Sequence, residues 1–340
     1  MSTTVRLLIL GTGWMAKNHA ESFAKIDGVT VVAGVDSRPE VLAAFCTEFD
    51  IEHQFSTLDE ALEWGQFDAA TNVTPDAVHY QTTIALLDAG KHVLCEKPLA
   101  VNSTHASLMA KKAAEAGLVN MVNLSDRQVP AMQKAAQMVA SGAIGEVRHF
   151  EASYLQSWLT QPAWGEWKTE SQWLWRLSTS HGSNGVLGDV GIHILDFATF
   201  VAGSLPIDLH GRLKTFSKAP KDKIGEYALD ANDSFVLHAE LENGAIGTIS
   251  ATRFASGHHN DLRLRIYGDK GGMEVLFEKN IDQLNVCLDE HMVTQQWSEV
   301  KSESVPSNYQ RFVESILNDT FVQPDFEQGA QLQYWLDKVI

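Results

Sequence analysis

Apolar runs and amphipathic repeats alternate through the first third of the chain. Residues 5–10 (VRLLIL) and 29–35 (VTVVAGV) are short, mostly apolar stretches, as are 69–73, 92–95 and 118–122. Such runs lack the alternation of a half-exposed strand and read as strands buried on both faces. Between them, apolar residues recur at helical spacing over 58–64, 78–89 and 103–116. A first helix follows the turn after residue 10 and runs to about Ile26, and Pro39 opens another. Proline suits a helix's first turn, because the N–H it lacks would have no intrahelical partner there. Strands and helices in this alternation predict a doubly wound α/β domain with a parallel sheet covered on both sides.

The pattern changes after Asn123. A helix over 130–141 leads through GAIGEV into a long strand over 147–157. A tryptophan-rich stretch and a Gly-rich loop follow, then a helix from about Asp189. From 207 to 297 the chain reads as successive strands joined by short turns such as ENG (242–244) and GDKGG (268–272), which predicts a largely antiparallel sheet. Two helices, near 309–318 and 326–338, complete the pattern. The expected organisation is a nucleotide-binding domain over 1–123 and an α+β domain over 124–340.

Composition narrows the function class. A formal charge of -17 argues against a nucleic-acid partner and against an anionic membrane surface. No apolar run is long enough to span a bilayer, and the first residues lack the form of a secretion signal, so a soluble cytoplasmic protein is expected. Cys46, Cys95 and Cys287 are odd in number and widely spaced, which suits neither a disulfide framework nor a metal site.

Residues 11–16, GTGWMA, form the turn between the first strand and helix. Gly11 permits a tight turn, and Gly13 lets the backbone approach a pyrophosphate, which the helix N-terminus then favours. Thr12, Trp14 and Met15 line the same turn, and Ala16 is the small residue needed for helix–strand packing. Asp36 ends the second strand 20 residues beyond Ala16, where a carboxylate grips the adenine-ribose diol. Together these features predict NAD. Arg38, after Ser37, keeps NADP possible, since a guanidinium there pairs with a 2′-phosphate or stacks on adenine.

In a doubly wound sheet, ligands bind beyond the carboxyl ends of the strands. HVLCEKP (92–98) sets Glu96 and Lys97 at such an end. Lys97 should therefore face the cofactor crevice, where an ammonium stabilises developing alkoxide charge. Pro98 raises the prospect of a cis Lys97–Pro98 bond. A second constellation is GDVGIHILD (188–196). Asp189 and His193 are four apart and share a helix face, so the imidazole can take a hydroxyl proton while the carboxylate orients it. Asp196 could add a metal ligand, but no further His or Cys cluster supports a metal. His181, in the loop before this motif, has no evident catalytic role. Trp158, Trp164, Trp167, Trp173 and Trp175 crowd into 18 residues, which suits packing, subunit contact or the apolar faces of sugar rings.

GTGWMAKNHA, NVTPDAVHY, AGKHVLCEKPLAV, SGAIGEV, the pair Trp175–Arg176 and GVLGDVGIHILD occur in the order seen in the Gfo/Idh/MocA family of glucose–fructose oxidoreductases and inositol dehydrogenases, which the chain resembles. The resemblance implies a Rossmann domain followed by an α+β domain with a large open sheet, whose exposed face makes a homodimer or homotetramer. It also implies that Lys97 is the active-site lysine, His193 the acid/base and Asp189 its catalytic or substrate-orienting partner. Asn72, Thr74, Pro75 and His79 match a loop near the cofactor ribose and nicotinamide, with Glu96 and Lys97 beside it. Trp175 and Arg176 match a pair that reaches the nicotinamide side. Asn123, Arg127 and Arg176 would join Lys97, Asp189 and His193 around the substrate. There are departures: Gln128 follows Arg127 where the family usually has an aromatic residue, and GSNG replaces a run of glycines before Asp189. The activity implied is an NAD(P)-dependent dehydrogenase acting on a carbinol of a sugar, inositol-type polyol or derivative. An enzyme using held NAD for glycoside modification without net redox change would keep the same residues. A nucleotide-sensing regulator would have no need of Lys97 and His193.

Overall fold

The computed structural model describes residues 4–162 and 164–339. Contacts divide them into two compact units, residues up to 125 with 306–334, and 126–305 with those from 335 onward.

The first unit alternates as its apolar pattern dictates. β1 (Val5–Leu10), α1 (Trp14–Phe23), β2 (Val29–Val35), α2 (Pro39–Glu48) and β3 (His53–Phe55) form its first half. After α3 (Leu58–Trp64), the second half runs β4 (Ala69–Asn72), α4 (Asp76–Asp88), β5 (His92–Cys95), α5 (Ser103–Ala116) and β6 (Asn120–Val122). The strands pair in parallel in the order β3-β2-β1-β4-β5-β6, with the switch point at β1 and β4. Leu7, Leu8, Ile9, Val93 and Leu94 are fully buried, as strands covered on both faces require. Local chemistry sets several boundaries. Thr57 and Glu60 form a reciprocal capping box at the start of α3, Pro39 occupies the first turn of α2, and Gly117 ends α5 in the left-handed conformation.

The second unit begins with α6 (Pro130–Ala140) and β7 (Val147–Gln156), then α7 (Ser171–Leu174) and α8 (Ile192–Ala202). β8 (Pro206–Lys214) is followed by the small pair β9 (Lys223–Ile224) and β10 (Tyr227–Ala228). β11 (Ser234–Leu241), β12 (Ile246–Thr252), β13 (Asn260–Gly268), β14 (Gly271–Glu278) and β15 (Ile281–Leu288) lead through α9 (Glu290–Thr294) to β16 (Ser298–Val300). The eight-stranded sheet has the order β16-β15-β14-β13-β7-β12-β11-β8. Its neighbours are antiparallel except β7 and β12. α6 and α8 cover one face. The strands alternate buried and exposed residues, as in the burial of Phe235, Leu237, Ala239 and Leu241 along β11.

The two closing helices are α10 (Asn308–Asn318) and α11 (Phe326–Lys338). Their packing departs from the expected split at residue 123. Tyr309, Phe312 and Val313 of α10 are buried with Val5, Leu7, Leu94 and Met121 of the parallel sheet. The segment before α11 also closes the sheet edge: the Pro324 carbonyl accepts the Val122 N–H at 2.9 Å. An amphipathic helix follows its apolar partner, whatever the distance in sequence.

Candidate active site

In the first unit, the turn after β1 is shaped for a dinucleotide. Gly11 has φ +86°, and a Cβ there would lie 2.7 Å from the Val73 carbonyl oxygen, so no other residue fits without a shift. A Cβ on Gly13 would meet only the Arg38 guanidinium, at 3.8 Å. That open approach, with no side chain capping the start of α1, suits a pyrophosphate held by backbone N–H groups. Trp14 is exposed and Met15 half-buried beside it.

Asp36 is buried at the end of β2. Its Oδ2 accepts from the Thr12 N–H (2.9 Å), the Thr12 hydroxyl (3.1 Å) and Arg38 Nη2 (2.9 Å). Its Oδ1 accepts from the Arg38 N–H (3.0 Å) and Nε (2.9 Å). Burial opposes the charge, but the Arg38 and Thr12 donors outweigh it and hold the carboxyl well below the usual range. Ser37 and Arg38 are exposed. These residues fit an adenine-ribose, with Arg38 available at its rim.

Asn72 does not point outward. Its amide donates to Thr82 and Thr83 (2.8 and 3.0 Å) and its oxygen accepts from the Thr74 hydroxyl (2.6 Å), which fixes the 72–75 loop onto α4. His79 is fully buried, and its ring nitrogens reach the carbonyl oxygens of Thr74 (2.8 Å) and Pro98 (2.9 Å). Two acceptors call for two N–H donors, so this arrangement, which ties the loop to the one after β5, favours the imidazolium form. Burial opposes that charge, while Cys95, Asp76 and the Pro98 carbonyl raise the pKa to about 10.

Glu96 and Asn123 were expected to touch cofactor and substrate, and the structure turns both inward. Glu96 Oε1 accepts from His19 (2.9 Å) and the Asn123 amide (2.6 Å), and Oε2 from the Lys97 N–H (3.2 Å). His19 continues to Thr71 (2.7 Å), and Asn123 to the Tyr309 hydroxyl (3.2 Å). Burial would raise the Glu96 pKa, but His19, Asn123 and the Lys97 charge bring it down to about 2. A buried carboxylate with these donors is a structural anchor, and what it anchors is the backbone of Lys97. Lys97 itself is half-buried past the end of β5, and its bond to Pro98 is cis. His19 stands in the quoted motif without an assigned role, and Tyr309, 186 residues from Asn123, gives no local signal.

In the second unit, Leu187–Gly191 is a wide π-type turn that leads into α8. Such turns recur at functional sites because they re-aim side chains. Asp189 Oδ2 accepts from Arg253 Nη2 at 3.1 Å. Arg253 is fully buried, donates also to the Arg176 carbonyl (3.1 Å) and lies 4.9 Å over the Trp158 ring. Burial pushes its pKa down against the charge of Asp189. His193 is buried, and its Nδ1 lies 3.2 Å from Oδ2 of Asp126. The contact is within ion-pair range without hydrogen-bond alignment, and neither atom has a hydrogen-bond partner. The carboxylate at its Nδ1 is that of Asp126, a residue the sequence pattern did not single out beside Asp189, the expected catalytic or substrate-orienting partner. Tyr154 packs edge-on, 6.4 Å from His193. Burial raises its pKa well above 10, and Asp126 and Asp189 add to that.

Arg127 is a second correction. Expected in the substrate wall, it is fully buried. Its Nε and Nη2 each lie 2.6 Å from an Asp196 oxygen, and its guanidinium 3.7 Å from the Phe200 ring centre. Asp196 is thereby engaged by a guanidinium, and among the described residues no cluster of three His, Cys, Asp or Glu is placed to hold a metal ion. Arg176 stacks on Trp175 (4.6 Å) and Trp173 (5.5 Å), with Trp175 partly exposed. Trp158 and Trp167 are buried in a small core with Leu174, Leu177 and Leu229. Packing therefore accounts for much of the tryptophan cluster.

A parallel sheet with a glycine turn after its first strand, a buried aspartate ending its second and a lysine beyond its strand ends has the layout of a dinucleotide-dependent oxidoreductase. Residues 5–124 match the oxidoreductase family with an NAD-binding Rossmann fold, and residues 132–274 match the GFO/IDH/MocA C-terminal domain. The chain belongs to the Gfo/Idh/MocA family and is an NAD-binding oxidoreductase. It is 28% identical to levoglucosan dehydrogenase of Pseudarthrobacter phenanthrenivorans over 304 residues, 82% of this chain and 75% of that protein. It is 26% identical to D-glucoside 3-dehydrogenase of Escherichia coli over 98% of this chain and 93% of the relative. The crystal structure of an oxidoreductase domain protein from Kribbella flavida matches 99% of this chain and 96% of its own, with a TM-score of 0.85 and 28% identity. Among the described residues, no helix is long and apolar enough to cross a membrane.

Proposed function

We propose that the chain is an NAD-dependent dehydrogenase of a sugar, inositol-type polyol or derivative, oxidising a secondary hydroxyl to a ketone or running the reverse reduction. When bound, the dinucleotide supplies the hydride acceptor at C4 of its nicotinamide. The turn over 11–15 and the start of α1 hold the pyrophosphate, and Asp36 with Ser37 the adenine-ribose. Thr74, Pro75, Trp175 and Arg176 are proposed to border the ribose and nicotinamide, and Arg176 also the substrate. The Lys97 ammonium donates to the reacting oxygen and stabilises it as the alcohol C–H electron pair leaves. His193 accepts the hydroxyl proton on Nε2, so the C–O bond becomes a carbonyl with charge balanced. Asp189, gripped by Arg253, accepts from a substrate hydroxyl.

The observation that carries this reading is the coexistence of a complete dinucleotide turn, ending at Asp36, with a buried histidine on α8, in a chain similar to sugar dehydrogenases. The test is a screen for NADH formation over anhydrosugars, glucosides, free sugars, inositols and sugar acids. Net NADH with at least one of them supports the reading. Conversion of a glycoside without net NADH would replace it by redox-neutral glycoside chemistry on held NAD. Assembly as a dimer or tetramer through the eight-stranded sheet belongs to the same proposal. Val236 and Ile246 are half-exposed on its strands (51% and 57%), and light scattering reads the mass.

A further inference from the structure

We propose that Asp126 is the residue that positions His193, fixing which ring nitrogen is basic. The inference rests on the reading of His193 as the proton acceptor.

Asp126 and Arg127 are successive residues of a short 3-10 turn, Ser125–Gln128. They reach two positions on one face of α8. Arg127 binds Asp196 through two contacts of 2.6 Å, and Asp126 meets His193, three residues earlier on the helix. Residues three apart on a helix are neighbours on its surface. The planar Arg127–Asp196 fork, backed by Phe200, fixes the turn against the helix and so fixes the direction of the neighbouring carboxylate.

Asp126 Oδ2 and His193 Nδ1 are buried, and neither makes a hydrogen bond elsewhere. Each has the other within ion-pair range at 3.2 Å, and closing that contact into a hydrogen bond would compensate both for lost water. A carboxylate only accepts, so the nitrogen facing it carries the proton. The neutral ring is held as the Nδ1–H tautomer, which leaves the lone pair on Nε2. Free histidine gives no such guarantee; a neighbouring carboxylate that holds the imidazole tautomer is a recurrent device in proton-transfer sites. Asp189 has a buried guanidinium of its own, Arg253 at 3.1 Å.

The test uses the full chain labelled with 15N-histidine, with long-range proton–nitrogen spectra and His193→Gln to assign the signal. The expected result, read at a pH where the ring is neutral, is the Nδ1–H form for His193, shifting toward the Nε2–H form in Asp126→Ala. An Nε2–H ring in the wild type would overturn the proposal, as would a tautomer that Asp126→Ala leaves unchanged. With the fastest substrate of the screen, Asp126→Ala should lower kcat about 10–10³-fold with KM little changed. In a His193→Ala background it should cost nothing further, because it acts through that ring. Asp126→Asn keeps the shape but presents an amide donor as readily as an acceptor, so it should lose the Nδ1–H form and much of the turnover while unfolding at the wild-type temperature, which separates positioning from failure to fold. If His193→Ala keeps full turnover, the base assignment fails. If His193→Ala is inactive while Asp126→Ala is fully active, only the role of Asp126 fails.

Discussion

Both oxygens of Asp36 are engaged by Thr12 and Arg38, so in the proposed cofactor site the ribose diol would compete for a carboxylate that is already bound within the protein. Asp36→Ala should weaken NADH binding more than NADPH binding, since a 2′-phosphate gains from losing the negative charge while the diol loses its acceptor. Fluorescence titration of both cofactors reads the difference, and equal losses would contradict the role given to Asp36. Glu96 makes a second prediction. Its folded pKa of about 2 lies below the ordinary value of 4.5, so its stabilisation is present above pH 4.5 and is lost as the pH falls toward 2. Glu96→Gln should flatten this part of the acid limb in chemical denaturation and cost about 3 kcal/mol at neutral pH. The place of Asp36 at the end of β2 could be read from sequence, because everything that sets it lies within one strand–turn–helix–strand unit. Glu96 and Asn123 looked like ligands for the opposite reason. Their partners, His19 and Tyr309, come from elements that no local pattern connects to them.

Among the elements, unbroken apolar runs located the strands of the parallel sheet, which are buried on both faces, and helical spacing located the helices that cover it. The three-residue β3 escaped, being too short to show a period. The stretch before α8 was read as plain helix, which placed Asp189 and His193 in line. Asp189 lies instead in the π-type turn at Leu187–Gly191, ahead of the helix that carries His193, and such a turn cannot be seen in composition. The 3-10 turn carrying Asp126 and Arg127 was likewise invisible as a partner of α8. Its grip is testable: Arg127→Met leaves Asp196 buried without its cation and should destabilise the second unit by about 3–5 kcal/mol. Arg127→Met with Asp196→Leu should recover part of that loss in thermal unfolding. Full additivity of the two single losses would argue that the pair does not act as one unit.

For the whole molecule, the order of elements revealed two architectures but not their membership. Residues 306–334 follow the second sheet in sequence and pack with the first. The apolar face of α10 was legible, whereas the choice of sheet it covers depends on shape and distance that a linear pattern does not hold. Phe312 is fully buried in that contact, so Phe312→Ala should cost about 3–5 kcal/mol, read by denaturant titration of the intact chain. The chemistry assigned to the molecule rests on Lys97 and His193, and the most direct test is their replacement one at a time by alanine. Steady-state NADH formation is measured beside NADH binding by fluorescence. Each variant should bind NADH about as the wild type does, while kcat falls on the order of 10²–10⁴-fold. Full turnover by both variants would contradict the account.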